Sequence, residues 1–169
     1  MPDSDDFKLK PAKPDEARAQ AAEFLSVFAG QDFVLDNDET WHLPNPNYLP
    51  PKMKRRYLEH LRFVNKELDK ETIEDTDPIT NKKRSRTQTV WPLSYNGELI
   101  DEDELLCIAL MGDDVKADRE AYFASGGEKL PETYERFLNA GGVPGQVQVH
   151  WRVMNIQMEE RLKRDPKSR

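Results

Sequence analysis

The segment from Val143 to Arg164 constrains the fold most, because its apolar residues lie on two sides of one predicted helix. One stripe contains Val147, Trp151, Met154, Met158 and Leu162. A second stripe contains Val149, Val153 and Ile156, and at about 100° per residue it lies nearly opposite the first. A helix that only covers its own core needs a single stripe. The pattern therefore predicts that one face packs within the chain and that the other meets a partner, and it leaves open which face does which.

Composition limits the classes of protein to which the chain can belong. Its 169 residues carry a net charge of −7, with 37% hydrophobic and 34% charged residues, which predicts a small core and long solvated segments. The acidic balance argues against nucleic acid and anionic membrane as partners. A single cysteine excludes an internal disulfide, and no apolar run approaches the roughly 20 residues that a membrane span needs. These features are typical of a cytosolic protein.

The order of segments predicts a mainly α fold: a small helical domain with one N-terminal β-hairpin and a long C-terminal helix. Residues 1–13 are predicted to be a disordered tail, 14–164 a single mostly helical domain, and 165–169 a C-terminal tail. The hairpin is expected from Phe33 to Leu43, around the turn residues 36–39. Residues 69–88 have almost no apolar content and are predicted to be a mobile loop.

Two further helices are predicted on either side of that loop. The first runs from Pro51 to about Leu68, with an apolar stripe formed by Met53, Tyr57, Leu61, Val64 and Leu68. The second follows the turn signal Asn96-Gly97 and a capping Asp101. Its residues from Leu105 to Met111 are apolar all round, so it should be the most buried helix.

No residue pattern in the chain predicts catalysis, a metal site or a cofactor. His42, His60 and His150 lack the spacing of metal ligands, and Cys107 among aliphatic neighbours reads as a buried structural thiol. The acids around Asp101 are explained by the N-terminal charge preference of helices. The basic run Lys82–Arg86 would suit phosphate or an acidic peptide, but a solvated loop is the favoured interpretation.

Four motifs follow one another at the C-terminus. They are Phe137-Leu138-Asn139-Ala140-Gly141-Gly142-Val143-Pro144-Gly145, then Trp151-Arg152-Val153-Met154-Asn155, then Glu159-Glu160-Arg161, then Asp165-Pro166-Lys167-Ser168. In this order they resemble the ending of tail assembly chaperones from long-tailed, siphovirus-type phages of actinobacteria. The hairpin that ends in Leu43-Pro44 and the block from Asn96 to Gly112 are similar in layout. The basic run and the first 13 residues have no counterpart in that resemblance.

The resemblance implies a non-catalytic role without a cofactor. Such chaperones bind the tape-measure protein and keep it soluble until the tail tube forms around it. Further expected partners are the tail tube protein and a second copy of the chain. Neither a membrane nor a nucleic acid is expected as a partner. The expected location is the host bacterial cytoplasm, and the protein is expected to be absent from the mature virion. Partner binding is predicted for Val147, Val149, Trp151, Val153, Met154, Ile156 and Met158.

Three alternatives stay open at the level of sequence. The first is a structural head–tail connector or tail-completion protein that is retained in the virion. The second is a small DNA- or RNA-binding regulator that uses Lys82–Arg86. The third concerns the site alone: Trp151, Met154 and Met158 would simply close the core of the chain itself.

Overall fold

A computed structural model describes residues 29–164 of the chain. The predicted tails 1–13 and 165–169, and the start of the predicted domain at 14–28, lie outside the described residues. Within the described part, five α-helices accompany three two-stranded antiparallel sheets. The predicted N-terminal hairpin and long C-terminal helix are confirmed. The fold class is mixed α/β rather than mainly α, because two hairpins occur in addition to the predicted one.

The elements follow one another in this order: β1 Gln31–Val34, β2 Thr40–Leu43, a 3-10 turn Pro46–Tyr48, α1 Pro51–Lys66, β3 Lys70–Thr76, β4 Lys83–Thr89, β5 Ser94–Tyr95, β6 Glu98–Leu99, α2 Glu102–Met111, α3 Val115–Ala124, α4 Glu132–Asn139 and α5 Pro144–Arg164. They fall into two compact units. The first unit combines the described residues up to Pro51 with those from Arg136 onward, and the second is Lys52–Glu135. No helix among residues 29–164 combines the length and the apolar character that a membrane crossing needs.

In the first unit, the β1–β2 hairpin is held by a tight turn and by packing on the end of α4. Its register runs from Gln31 opposite Leu43 to Val34 opposite Thr40. The Asp36 N–H donates to the Ala140 carbonyl at 3.0 Å, which joins the turn to the residues after α4. The Trp41 ring meets the Phe137 ring edge-on, with 5.4 Å between the centroids. Hairpin and helix end therefore share one apolar contact.

Close packing explains why glycine occupies positions 141 and 142 of the C-terminal motif. Gly141 has φ +91°, a left-handed conformation that favours glycine, and a side chain there would overlap the Asp36 carboxylate. A Cβ at Gly142 would overlap the Phe137 ring. The two glycines thus let the backbone pass close to the hairpin turn and to an aromatic ring.

In the second unit, α2 forms the centre of the core, as its sequence predicts. All six residues from Leu105 to Leu110 are buried, and the Asp101 side chain caps the helix by accepting from the Asp103 N–H at 2.9 Å. At the other end, the Arg56 guanidinium donates to the carbonyls of Ala109 at 3.1 Å and Leu110 at 3.0 Å. This charged donor satisfies carbonyls that have no partner inside the helix.

The buried face of α1 differs from the predicted stripe. Its buried residues are His60 and Phe63. Of the predicted stripe, Met53, Tyr57, Leu61 and Val64 are only half-buried, whereas Leu68, which follows the end of the helix, is buried. Phe63 packs against the rings of Tyr95 at 5.1 Å and Phe123 at 6.1 Å, so its aromatic neighbours decide which face of α1 turns inward.

The prediction of a mobile loop over residues 69–88 is wrong. Strands β3 and β4 form a regular ladder from Lys70 opposite Thr89 to Thr76 opposite Lys83. The Asp77 carboxylate accepts from the Ile79 and Thr80 N–H groups and closes the turn. Nearly every side chain of both strands is exposed, so the hairpin has no buried face and lacks the alternation by which strands are recognised in a sequence. Its only signal is the β-branched residues, mainly threonine.

Candidate partner-binding surface

The two faces of α5 have opposite environments. On one face Val147 is 0%, Trp151 3% and Met154 8% exposed. On the other, Val149 is 60%, Val153 43% and Ile156 47% exposed. The structure therefore decides the orientation that the two sequence stripes left open: the tryptophan stripe points into the first unit and the valine stripe points outward.

The inward face of α5 belongs to the core of its own unit. The helix packs on the 3-10 turn Pro46–Tyr48. The His150 ring, at the side of this face, meets the Phe33 ring of β1 edge-on with centroids 4.9 Å apart. These contacts fix the rotation of α5 about its axis, so the outward face is presented in one orientation.

The outward face is a short apolar row, which we call the α5 face: Val149, Val153 and Ile156. The three side chains are spaced four and three residues apart, so they neighbour one another on one side of the helix. Exposed Glu160 continues the same line and ends the apolar row. Exposed Arg152 and Gln157 lie at its two margins. The α5 face is therefore a contiguous exposed apolar row with a polar margin.

The seven residues predicted to bind a partner are thus not one surface. Three of them form the α5 face, Met158 is half-buried, and Val147, Trp151 and Met154 are inside. A partner would reach the α5 face without opening the core, whereas the three buried residues would require α5 to move. The side chain of Leu162, the last member of the inward stripe, lies outside what the structure describes.

The basic run Lys82–Arg86 lies at the start of β4, beside an acidic strand. Arg84 Nη2 is 2.7 Å from the Asp77 carboxylate and lies opposite Asp75 in the ladder. The run is solvated, as expected, but it forms a strand rather than a loop. The acids of β3 therefore lie next to the bases of β4 on the same hairpin.

Cys107 is the remaining candidate for chemistry. Cys107 is fully buried, as predicted, and burial together with the nearby Asp103 and Glu104 carboxylates raises the pKa of its thiol well above the usual range. Such a thiol is not activated for attack. No group of three His, Cys, Asp or Glu residues between 29 and 164 is arranged to hold a metal ion.

Glu104 has a role that its sequence position did not reveal. It was expected to serve only the helix N-terminus, but its carboxylate accepts from the Tyr122 hydroxyl at 2.5 Å and from the Tyr134 hydroxyl at 3.2 Å. Burial is the main cause that raises the pKa of both tyrosines, and the carboxylate adds to it. The two hydroxyls therefore remain protonated donors that tie α3 and α4 to α2.

Comparisons with protein-family models, with curated proteins and with solved structures found no match to this chain.

Proposed function

We propose that this chain is a non-catalytic tail assembly chaperone, and that its α5 face holds an amphipathic helix of the phage tape-measure protein. The observation that carries the proposal is the exposure of Val149, Val153 and Ile156 on a helix whose opposite face is buried. The resemblance in the order of the C-terminal motifs is what suggests this class of client. Under this proposal the chain acts in the host bacterial cytoplasm and is absent from the mature virion.

The geometry of the α5 face suits a helical client. Its three side chains span seven positions, roughly 10 Å of helix length, which matches two turns of a partner helix. Fully burying an exposed aliphatic side chain contributes about 1.5–3 kcal/mol, and each of these three, being 43–60% exposed before binding, would contribute roughly half of that. Together they offset the cost of association only in part. We therefore expect reversible binding of moderate strength. A chaperone that must leave when tube subunits arrive requires binding of this kind.

The rigid placement of the α5 face supports the same role. Since Val147, Trp151 and Met154 hold the helix from behind, the client meets a preformed surface and the chain loses little conformational entropy on binding. The net charge of −7 keeps a complex with an apolar client dispersed.

Co-expression with the tape-measure protein tests the proposal. The client should remain in the soluble fraction with the parent chain and should precipitate when Val149→Gln, Val153→Gln and Ile156→Gln are combined. The matched control combines Val34→Gln, Leu58→Gln and Leu99→Gln, which replace three aliphatic residues exposed elsewhere and should leave the client soluble. A client that is equally soluble without the chain, or with the α5 variant, would contradict the proposal.

Two measurements separate this function from its rivals. Mass spectrometry of purified virions would detect a head–tail connector or tail-completion protein as a component, and we expect the chain to be absent. A regulator using Lys82–Arg86 would shift nucleic acid in a salt-dependent manner at modest protein concentration, and we expect no shift.

A further inference from the structure

The β3–β4 hairpin has two open edges. It is a two-stranded sheet, and no third strand lies beside either β3 or β4 within residues 29–164. Its seven cross-strand pairs make it the longest ladder in that part of the chain. An open edge presents N–H and C=O groups that another strand can pair with. Two-stranded ribbons are also marginal alone, and an additional strand would stabilise this one.

The two edges carry opposite charge. Strand β3 contributes Glu71, Glu74 and Asp75, whereas Lys83 and Arg86 lie on β4 and Lys82 directly precedes it. Lys82, Lys83 and Arg86 make no ion pair with any residue between 29 and 164, and neither do Glu74 and Asp75. Glu71 accepts a hydrogen bond from Gln88. On this hairpin Glu74 and Asp75 of the acidic strand, and Lys82, Lys83 and Arg86 of the basic side, are therefore without an ion-pair partner among residues 29–164.

We propose that this hairpin is a self-association element, in which the outer edge of β4 in one copy pairs with the outer edge of β3 in the next. The added β3 runs antiparallel to β4, as the first β3 does. Shifting the pairing by two residues from the register within the hairpin places Lys83 opposite Glu74, Arg86 opposite Glu71 and Lys82 opposite Asp75. Residues opposite one another in an antiparallel pair lie on the same face, so each pair is within reach of its partner.

The backbone permits this register. The Asp77 N–H donates to the Lys82 carbonyl, so the hairpin bonds inward through residues 71, 73 and 75 on β3 and 84, 86 and 88 on β4. The outward groups are then those of Thr72 and Glu74 on one edge and Lys83 and Ser85 on the other. These are the residues that the shifted register brings face to face, so both backbone and side chains are complementary.

The charges also select the direction of assembly. Pairing β4 with β4 would place bases beside bases, and pairing β3 with β3 would place acids beside acids; both cost free energy. Only the head-to-tail contact joins opposite charges, and such a contact grows into a ring or an open chain rather than closing as a twofold dimer. The inference uses the hairpin alone and stands whether or not the chain binds a tape-measure protein.

Sedimentation velocity of the full chain over a range of concentrations tests the proposal at about 50 mM and about 500 mM salt. We expect concentration-dependent oligomers at low salt that dissociate at high salt. Reversing the basic strand (Lys82→Glu, Lys83→Glu, Arg86→Glu) should leave monomers, and so should reversing the acidic strand (Glu71→Lys, Glu74→Lys, Asp75→Lys). Mixing the two reversed proteins should restore association, because each then offers the charge that the other lacks.

The control changes charge by the same amount elsewhere. Lys52→Glu, Lys54→Glu and Lys66→Glu, on the exposed side of α1, should leave the association constant within about twofold of the parent, whereas each hairpin reversal should weaken it by at least about tenfold. A parent chain that is monomeric at low salt would overturn the proposal. So would reversed variants that associate like the parent, or a mixture of two folded variants that stays monomeric. Misfolding cannot restore association, so recovery in the mixture would support the proposal.

Discussion

Because His60 is buried, we expect the folded protein to lose stability in mild acid. The side chain lies on the inward face of α1 and is 3% exposed, in the same unit as the buried guanidinium of Arg119. Burial, with a smaller contribution from Arg119, lowers the pKa of His60 from 6.5 to about 4. In the unfolded chain the imidazole returns to its ordinary pKa near 6.5. At a pH between these two pKa values, the imidazole is protonated in the unfolded chain but not in the folded protein.

The size of the effect follows from the two pKa values. Above about pH 6.5 the imidazole is neutral in both states and does not affect the balance. As pH falls below that value, stability decreases by up to about 1.4 kcal/mol for each pH unit, and the decrease levels off near pH 4. The interval between 6.5 and about 4 therefore corresponds to about 3 kcal/mol, a large part of the 5–15 kcal/mol that is typical of a small domain.

Urea unfolding of the parent and of His60→Leu between about pH 7.5 and about pH 4 measures this difference. Leucine cannot titrate, and it fills the buried position with an apolar side chain of similar size. Glu59, Asp69 and Asp77 also have lowered pKa values and weaken both proteins in acid, so their effect cancels in the comparison. Parallel pH profiles for the two proteins would refute the reasoning, as would an NMR titration of the His60 ring with a midpoint near 6.5.

Three further changes test the packing. Gly142→Ala should lower the free energy of unfolding by about 1–3 kcal/mol, measured in urea, because its methyl group would overlap the Phe137 ring; an unchanged midpoint would contradict that packing. Arg56→Met should cost about 1.5–3 kcal/mol by the same assay, because the carbonyls at the end of α2 lose a charged donor. Cys107 should react with an alkylating reagent in the native protein only as fast as the protein opens, and rapid labelling without denaturant would show that the thiol is accessible.

Local signals in the sequence were sufficient where one residue controls a boundary. Asp101 predicted the start of α2, Pro144 the start of α5, and the turn at 36–39 the first hairpin; all three are confirmed. The burial of α2 was also predictable, because a helix that is apolar on every side has no polar face to expose to solvent. Each of these features depends on neighbours within a few positions in the chain.

The β3–β4 hairpin and the inward face of α1 were not predictable in this way. Pattern reading recognises a strand by alternating burial, and β3 and β4 are exposed on both faces, so their pairing leaves no apolar trace. On α1 the predicted stripe missed Phe63 and His60, because the rings of Tyr95 and Phe123 select the face that is buried. The first error arises from the missing apolar alternation, and the second from contacts with residues distant in sequence.

On α5, the sequence determined one property of the candidate site and the tertiary structure determined another. The sequence alone determined that α5 has two apolar stripes, because a helical period of 3.6 residues assigns every side chain to a face. It could not determine which stripe is covered, since both are apolar and covering depends on what packs against the helix. That choice belongs to the tertiary structure, in which Val147 and Trp151 are buried and Val149 and Val153 are exposed.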